Sequence, residues 1–523
     1  MNTLPFDILN LVLNKLSDKD KISLLSITKN MNSLKLVTLF NKKIILDYII
    51  NLPYYHNFTN IIAYFEDICP HLPLPKNTIK LILGYQMEKL KMPPNLKYLI
   101  FDHPFNKKIN FIPSTVTHLT FGGGFNRNIK NCLPSSITHL TFGNNFDRHI
   151  KDCLPSGITH LTFGNCFKRN IRDCLPPTIT HLTFKKYFNR NIKDCFPSSV
   201  THLTFGKSFN RNIKKDYLPS GITHLTFGDG FNRNIIDSLP SSITHLIFGR
   251  NFNKNIDNCL PSNVNHLTFG RNFNKSIENC LPHNITHLTF GRNFDQNIKD
   301  CIPPNVTHLT FGRNFNKTIE NCIPHSVTHL TFDLCFDQKI YNSIPPSVTH
   351  LILSDFFDQN IYKCIPFGVT HLTLGACFNR NIKDCIPLSV THLRFGHCFD
   401  QNINKCIPPN VTHLKFGYDF NQNIQSCIPL SVTHLTFGRN FNQDIKNCIS
   451  SNVTHLFFGS RFNQRIKNNI PLSVTHLKLG FYFKKDTPDC IPSSVTHLTV
   501  GCHFNKNYIP STVTNLTILD RDT

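Results

Sequence analysis

The sequence predicts a repeat solenoid, mainly β, in which each coil of about 21 residues contributes one short parallel strand. The first observation behind this is a string of the form Ile-Thr-His-Leu-Thr-Phe-Gly. Its histidine recurs at His118, His139, His160, His181 and His202, and then from His224 to His497. The second is the regularity of the spacing: 19 histidines stand 21 residues apart, except for one step of 22 between His202 and His224. A period this short accommodates a strand and a return arc, not a pair of helices. The third is the alternation of apolar and polar residues within the string, the period of a strand with one buried face.

In chain order, residues 4–34 (LPFDILNLVLNKLSDKDKISLLSITKNMNSL) fall outside the repeat. Ile8, Leu9, Val12, Leu13 and Leu16 lie at helical spacing, which predicts an amphipathic helix from Pro5 to Leu16 with proline in its first turn. Ser17, with Asp20 three places later, predicts a second helix start in which Asp replaces the usual Glu of a capping box. That helix is expected to bury Ile22 and Leu25. Two short helices are marginal alone, so they must dock on the array or on another protein. Residues 1–45 therefore read as a helical domain, and 46–74, with Pro53, Pro70 and Pro73, as a connecting segment.

Weaker copies of the string at 75–84, 93–102 and 510–519 extend the array over 75–519, about 22 coils, and leave 520–523 as a tail. In the coil around His139, Leu140 and Phe142 point inward while His139 and Thr141 point outward. Pro134 precedes the strand, where a missing N–H costs least. Gly143 follows it and is expected to take a positive φ in the turn. Phe146 and Ile150 are expected to fill the interior behind the strand. No coil can bury these groups alone, but stacked coils can.

The string LPSSITHLTFGNN resembles the leucine-rich-repeat pattern, with Asn or Cys in the last place at Asn145, Asn251, Asn272 and Cys166, among others. The array also resembles the FNIP repeat, named for pairs such as Phe125-Asn126 and Ile302-Pro303 and known from slime moulds and giant viruses of amoebae. Residues 4–34 resemble an F-box. That resemblance implies docking on the Skp adaptor of a cullin-RING ubiquitin ligase through Leu4, Pro5, Ile8, Val12 and Leu16, with the repeats holding a protein target. It further implies a cytoplasmic protein, of the host if viral, that is monomeric outside the ligase complex. The alternatives are a binding scaffold without a ubiquitin link, its N-terminus a cap on the first coil, and a basic nucleic-acid binder.

Composition narrows the classes further. No run of 18 apolar residues occurs, so no membrane span is expected, and the N-terminus lacks the basic stretch of a secretory signal. Twenty cysteines without an export signal fit a reduced, intracellular chain. Fourteen of them, from Cys132 to Cys490, stand two places before the repeat proline position and read as small buried hydrophobes. The histidine row reads as a polar, neutral strand face and not a metal site, because an open row of like ligands supplies no closed geometry. The net charge of +23 concentrates partly in a stripe two places after the repeat phenylalanine. Arg127, Arg148, Arg169, Arg190, Arg211 and Arg233 form it, followed by Lys254 and Lys275 and then mostly by Gln. This stripe is the candidate surface for an acidic partner. Near-identical coils offer no convergence of unlike residues, so neither catalysis nor a cofactor is expected.

Overall fold

The computed structural model describes residues 13, 15–26, 34–36, 38–63, 74–84, 91–102, 105–109, 111–484 and 487–519. These fall into two compact units, Met1–Ile243 and Thr244–Thr523. Each is a parallel β solenoid of leucine-rich-repeat type, one strand per coil.

In the first unit, β1 (Ile44–Ile45) pairs with β2 (Asn60–Ala63), β2 with β3 (Lys80–Leu83), and β3 with β4 (Tyr98–Phe101), all in parallel. The ladder then runs through the histidine strands from His118–Thr120 to His224–Thr226. It thus begins well before residue 75, and the stretch read as a connecting segment contributes a strand of its own. The signal is faint there because Asn60-Ile61-Ile62-Ala63 keeps the apolar character of a strand but lacks the Thr-His pair and the 21-residue step. Among the described residues, beside short 3-10 turns, one α-helix has defined bounds, α1 (Asp18–Leu25). Ser17 caps it as expected: its Oγ accepts from the Asp20 N–H at 3.3 Å, and its hydroxyl donates to the Asp20 carboxylate at 2.6 Å. The helix buries Leu25, as the sequence implied, but leaves Ile22 only half-buried, and it also buries Asp18 and Lys21, which the sequence did not imply.

The second unit runs from the strand His245–Ile247 to Asn515–Leu519, again parallel throughout. Registers align like with like, for example His308↔His329, Leu309↔Leu330 and Phe311↔Phe332. Identical side chains therefore stack from coil to coil. In the coil at 306–326, Val306, Leu309, Phe311, Phe315 and Ile319 are at most 1% exposed. Phe315 stacks on Phe311 at 4.1 Å between centroids, and on Phe294 and Phe336 in the flanking coils at 6.2 and 6.0 Å. The interior is thus two columns of rings side by side, in the offset geometry aromatic pairs prefer.

Two backbone devices close most coils. Gly143 does not take a positive φ, contrary to expectation, and no described glycine does. Glycine stands there because consecutive coils touch backbone to backbone: a Cβ at Gly143 would lie 1.7 Å from the carbonyl oxygen of Gly122. The left-handed turn falls instead on the residue before the cysteine, from Asn131 (φ 59°) and Asp152 (φ 57°) through Asn321 (φ 54°) to Asp489 (φ 59°). Asn and Asp dominate that position because their short polar side chains tolerate the left-handed region better than other non-glycine residues.

Candidate functional site

The sheet face that carries the histidines is built the same way in nearly every coil, Asn265 taking the place of the threonine beside His266. Thr307 N–H and His308 N–H both donate to the Thr286 carbonyl, at 2.8 and 3.0 Å. The Thr307 hydroxyl lies 3.0 Å from His308 Nδ1 and 3.1 Å from the same carbonyl. A hydroxyl that donates to the carbonyl accepts from Nδ1–H, which fixes the tautomer and leaves Nε2 facing solvent with a lone pair. The rings stack face to face, His308 on His287 and His329 at 4.2 Å each. Burial, and then neighbouring imidazoles, lower the pKa of His308 and His329, and the same causes bring His434 down to about 4. These imidazoles are neutral at pH 7. Among the described residues, no three His, Cys, Asp or Glu side chains form a metal-binding group.

The arginine stripe has a structural task that the sequence reading missed. Nε–H of Arg127, Arg148, Arg169, Arg190, Arg211 and Arg233 donates to a backbone carbonyl of the preceding coil, at 2.6–3.2 Å. Gln422, Gln443 and Gln464 do the same through Nε2, at 2.8–3.1 Å. Arginine and glutamine alternate at this place because each brings an N–H to the same carbonyl. Carboxylates neutralise some of the stripe, as in Arg169–Asp147 at 3.1 Å and Arg380–Asp358 at 2.9 Å. The Asn or Asp that follows the repeat phenylalanine in most coils is a second inter-coil tie. Asn316 Oδ1 accepts from the Asp337 backbone N–H at 3.0 Å and from Gln338 Nε2 at 2.9 Å. Either residue supplies that oxygen, hence the Asn/Asp mixture.

The cysteine row is explained by a donor as well as by size. Cys322 Sγ lies 3.1 Å from the Glu320 carbonyl, and where serine replaces cysteine, Ser238 and Ser343 donate to the equivalent carbonyl at 2.9 and 3.0 Å. Burial raises these thiols, Cys195 and Cys385 to about 11 and Cys280, which also faces Asp257, to about 12. Such thiols are weak nucleophiles.

Of the residues implied to contact a Skp adaptor, Leu4, Pro5, Ile8 and Val12 lie outside the described residues. Leu16 is half-buried just ahead of α1. The helix itself leans on the start of the solenoid: Lys21 Nζ donates to the Leu39 carbonyl at 3.1 Å and pairs with Asp18 at 3.5 Å, while Asp18 accepts from the Lys42 N–H. Leu25 packs against Leu13. Among the described residues no helix is long and apolar enough to cross a membrane.

One group on the histidine face escaped a reading fixed on what the coils share. The outward residue after the strand leucine is Thr in most coils, but Ile at 247 and 352, Arg at 394, Lys at 415 and 478, and Phe at 457. The exceptions to the repeat were the available signal.

The FNIP Repeat family model matches in successive, partly overlapping stretches from 86–124 to 484–520. Among solved structures, the chain is similar to CroV588 of a giant virus, described as a novel circular leucine-rich-repeat protein. The two share 37% identity over 92% of this chain and 84% of that one, with a TM-score of 0.73. YopM from Yersinia enterocolitica is similar at 16% identity over 86% of this chain and 90% of that one, with a TM-score of 0.36. No curated protein matches significantly.

Proposed function

The chain belongs to the FNIP repeat family, and from that premise we propose that it is a non-enzymatic, protein-binding solenoid that recruits a target to a Skp–cullin ubiquitin ligase in the cytoplasm. The repeats offer a long surface whose side chains are held rigidly by coil-to-coil stacking, which suits recognition and supplies no reacting group. The observation that carries the adaptor reading is α1. It is a capped helix in the F-box-like segment, tied to the start of the solenoid by Lys21 and Asp18, so residues N-terminal to it would be presented from a fixed base. Leu4, Pro5, Ile8, Val12 and Leu16 are the proposed contacts for Skp. A second reading rests on the same contacts: Asp18 and Lys21 are buried against the solenoid, as they would be in a helix that merely seals its open end.

Size-exclusion chromatography of the full chain with a recombinant Skp-type adaptor separates the two. Co-elution that is abolished by Leu4→Ala/Pro5→Ala/Ile8→Asp is expected. Absence of co-elution by a folded chain would leave the cap and the scaffold.

A further inference from the structure

We propose that Arg394, Lys415, Phe457 and Lys478 form the docking surface for an acidic, extended segment of a partner protein. The inference rests on reading the chain as a protein-binding solenoid, but not on its link to Skp. It places the recognition chemistry in the second unit, on the histidine face, and not on the arginine stripe.

Four observations converge on these coils. The first is the departure from the repeat. Arg394 and Lys415 are register partners on adjacent strands, and Phe457 and Lys478 are partners two strands further along. Placing two like charges directly opposite each other is destabilising, and the fold does not need them, because Thr fills the same place in most coils. Lys415 registers the strain, its ammonium pKa lowered by burial and by Arg394.

The second observation is that these cations are uncommitted. Among the described residues, Arg394, Lys415 and Lys478 are exposed and take part in none of the ion pairs. The stripe arginines, in contrast, spend Nε on a carbonyl, and Arg169 and Arg380 also pair with Asp.

The third is a shallow hollow of about 320 Å³ over this face, floored by the imidazole row and bordered by Arg394, Lys415 and Phe457. The fourth is a set of exposed apolar residues at the start of neighbouring coils. Four residues before the histidine, the first unit has Ser or Pro, whereas this part of the second unit has Phe367, Leu388, Leu430 and Leu472, exposed by 83, 59, 73 and 76%, with Pro409 and Ser451 in the coils between.

The chemistry of the face selects the occupant. Unpaired cations call for carboxylates, and Phe457 calls for an apolar side chain among them. At about 4.8 Å per strand, Lys415 and Lys478 stand roughly 14 Å apart, the length of about four residues of extended chain. A single-stranded nucleic acid would also meet the cations, but it binds by stacking bases on ring faces. Here the imidazole faces cover one another at 4.1–4.2 Å, as in His392 on His413 and His413 on His434, leaving only edges to solvent. Those edges suit the hydrogen-bonding groups of a peptide.

The test is fluorescence anisotropy of the full chain with a fluorescein-labelled, Glu-rich peptide carrying leucines, beside a labelled oligo-dT. Saturable peptide binding is expected, weakened about tenfold by R394T/K415T, as two partly exposed ion pairs would give. Both substitutions restore the repeat's own residue, and thermal unfolding confirms that the coils remain stacked. R190Q/R211Q should leave binding unchanged, since Gln keeps the donor to the preceding coil. No peptide binding, equal binding by R394T/K415T, or oligo-dT bound more tightly than peptide with the same sensitivity would each overturn the proposal. A chain that binds the peptide here yet ignores Skp would refute only the adaptor reading.

Discussion

The two columns of phenylalanine are equally buried but not equally replaceable. One column, containing Phe315, is Phe in every coil from Phe105 to Phe504. The other, containing Phe311, gives way to Leu353, Leu374 and Leu479. Phe315 is fully buried and touches rings on three sides, with flanking rings fixed by their own stacks, so a void left there cannot collapse. For Phe315→Ala, returning the ring to water accounts for about 2–3 kcal/mol. With the unfilled void, the total comes to about 3–5 kcal/mol. Phe311→Leu should cost less than about 1.5 kcal/mol, because the site already holds leucine in sister coils. Urea unfolding followed by circular dichroism gives the totals. Because a repeat array couples only to its neighbours, hydrogen exchange should show the Phe315→Ala loss centred on the coils at 285–357. A Phe315→Ala variant no less stable than Phe311→Leu would refute the account of the core.

Other predictions follow from the turns, the ties and the imidazoles. Asn321→Val forces a β-branched residue into the left-handed region and should lower stability by about 1–2 kcal/mol, while Asn321→Gly should not, as a thermal melt would show. Asn316→Ala removes the acceptor shared by the Asp337 N–H and Gln338 and should cost about 1 kcal/mol. Asn316→Asp keeps the oxygen and should cost less than half of that in the same denaturation assay. The folded-state pKa of His434 lies near 4, below its ordinary 6.5. The unfolded chain therefore binds more protons in that window, so the contribution to stability is whole above pH 6.5 and is lost as pH falls through 4. Replacing His392 and His434 together with Gln should flatten the dependence of the melting temperature between those values; an unchanged slope would assign it to carboxylates.

Much of the fold was legible because a repeat states its own register: the 21-residue step and the Leu/Phe alternation around Leu309 and Phe311 dictate a parallel strand and a buried column. The capped start of α1 was equally legible, Ser17 and Asp20 being a local signal. What escaped depends on contacts between coils. Gly143 looks like a turn residue until the backbone of the preceding coil is seen against it. Arg211 and Gln443 look like a charged residue and its neutral replacement until both are found donating to the same kind of carbonyl. The start of the ladder at Ile44 escaped because its early strands pair through the backbone like the rest but lack the Thr-His pair and the 21-residue step. The group at Arg394, Lys415, Phe457 and Lys478 was visible in the letters, but its meaning required the knowledge that these side chains share one open face.

The most direct test of the account is affinity purification of the full chain from a eukaryotic cell lysate in three forms: unaltered, Leu4→Ala/Pro5→Ala/Ile8→Asp, and R394T/K415T. Two separable losses are predicted. Skp and cullin should disappear only with the N-terminal variant, and a distinct acidic protein, also bound by the purified chain, only with the strand-face variant. Skp and cullin retained by the N-terminal variant, or no protein lost with the strand-face variant, would contradict the division of labour between a docking N-terminus and a recognising solenoid.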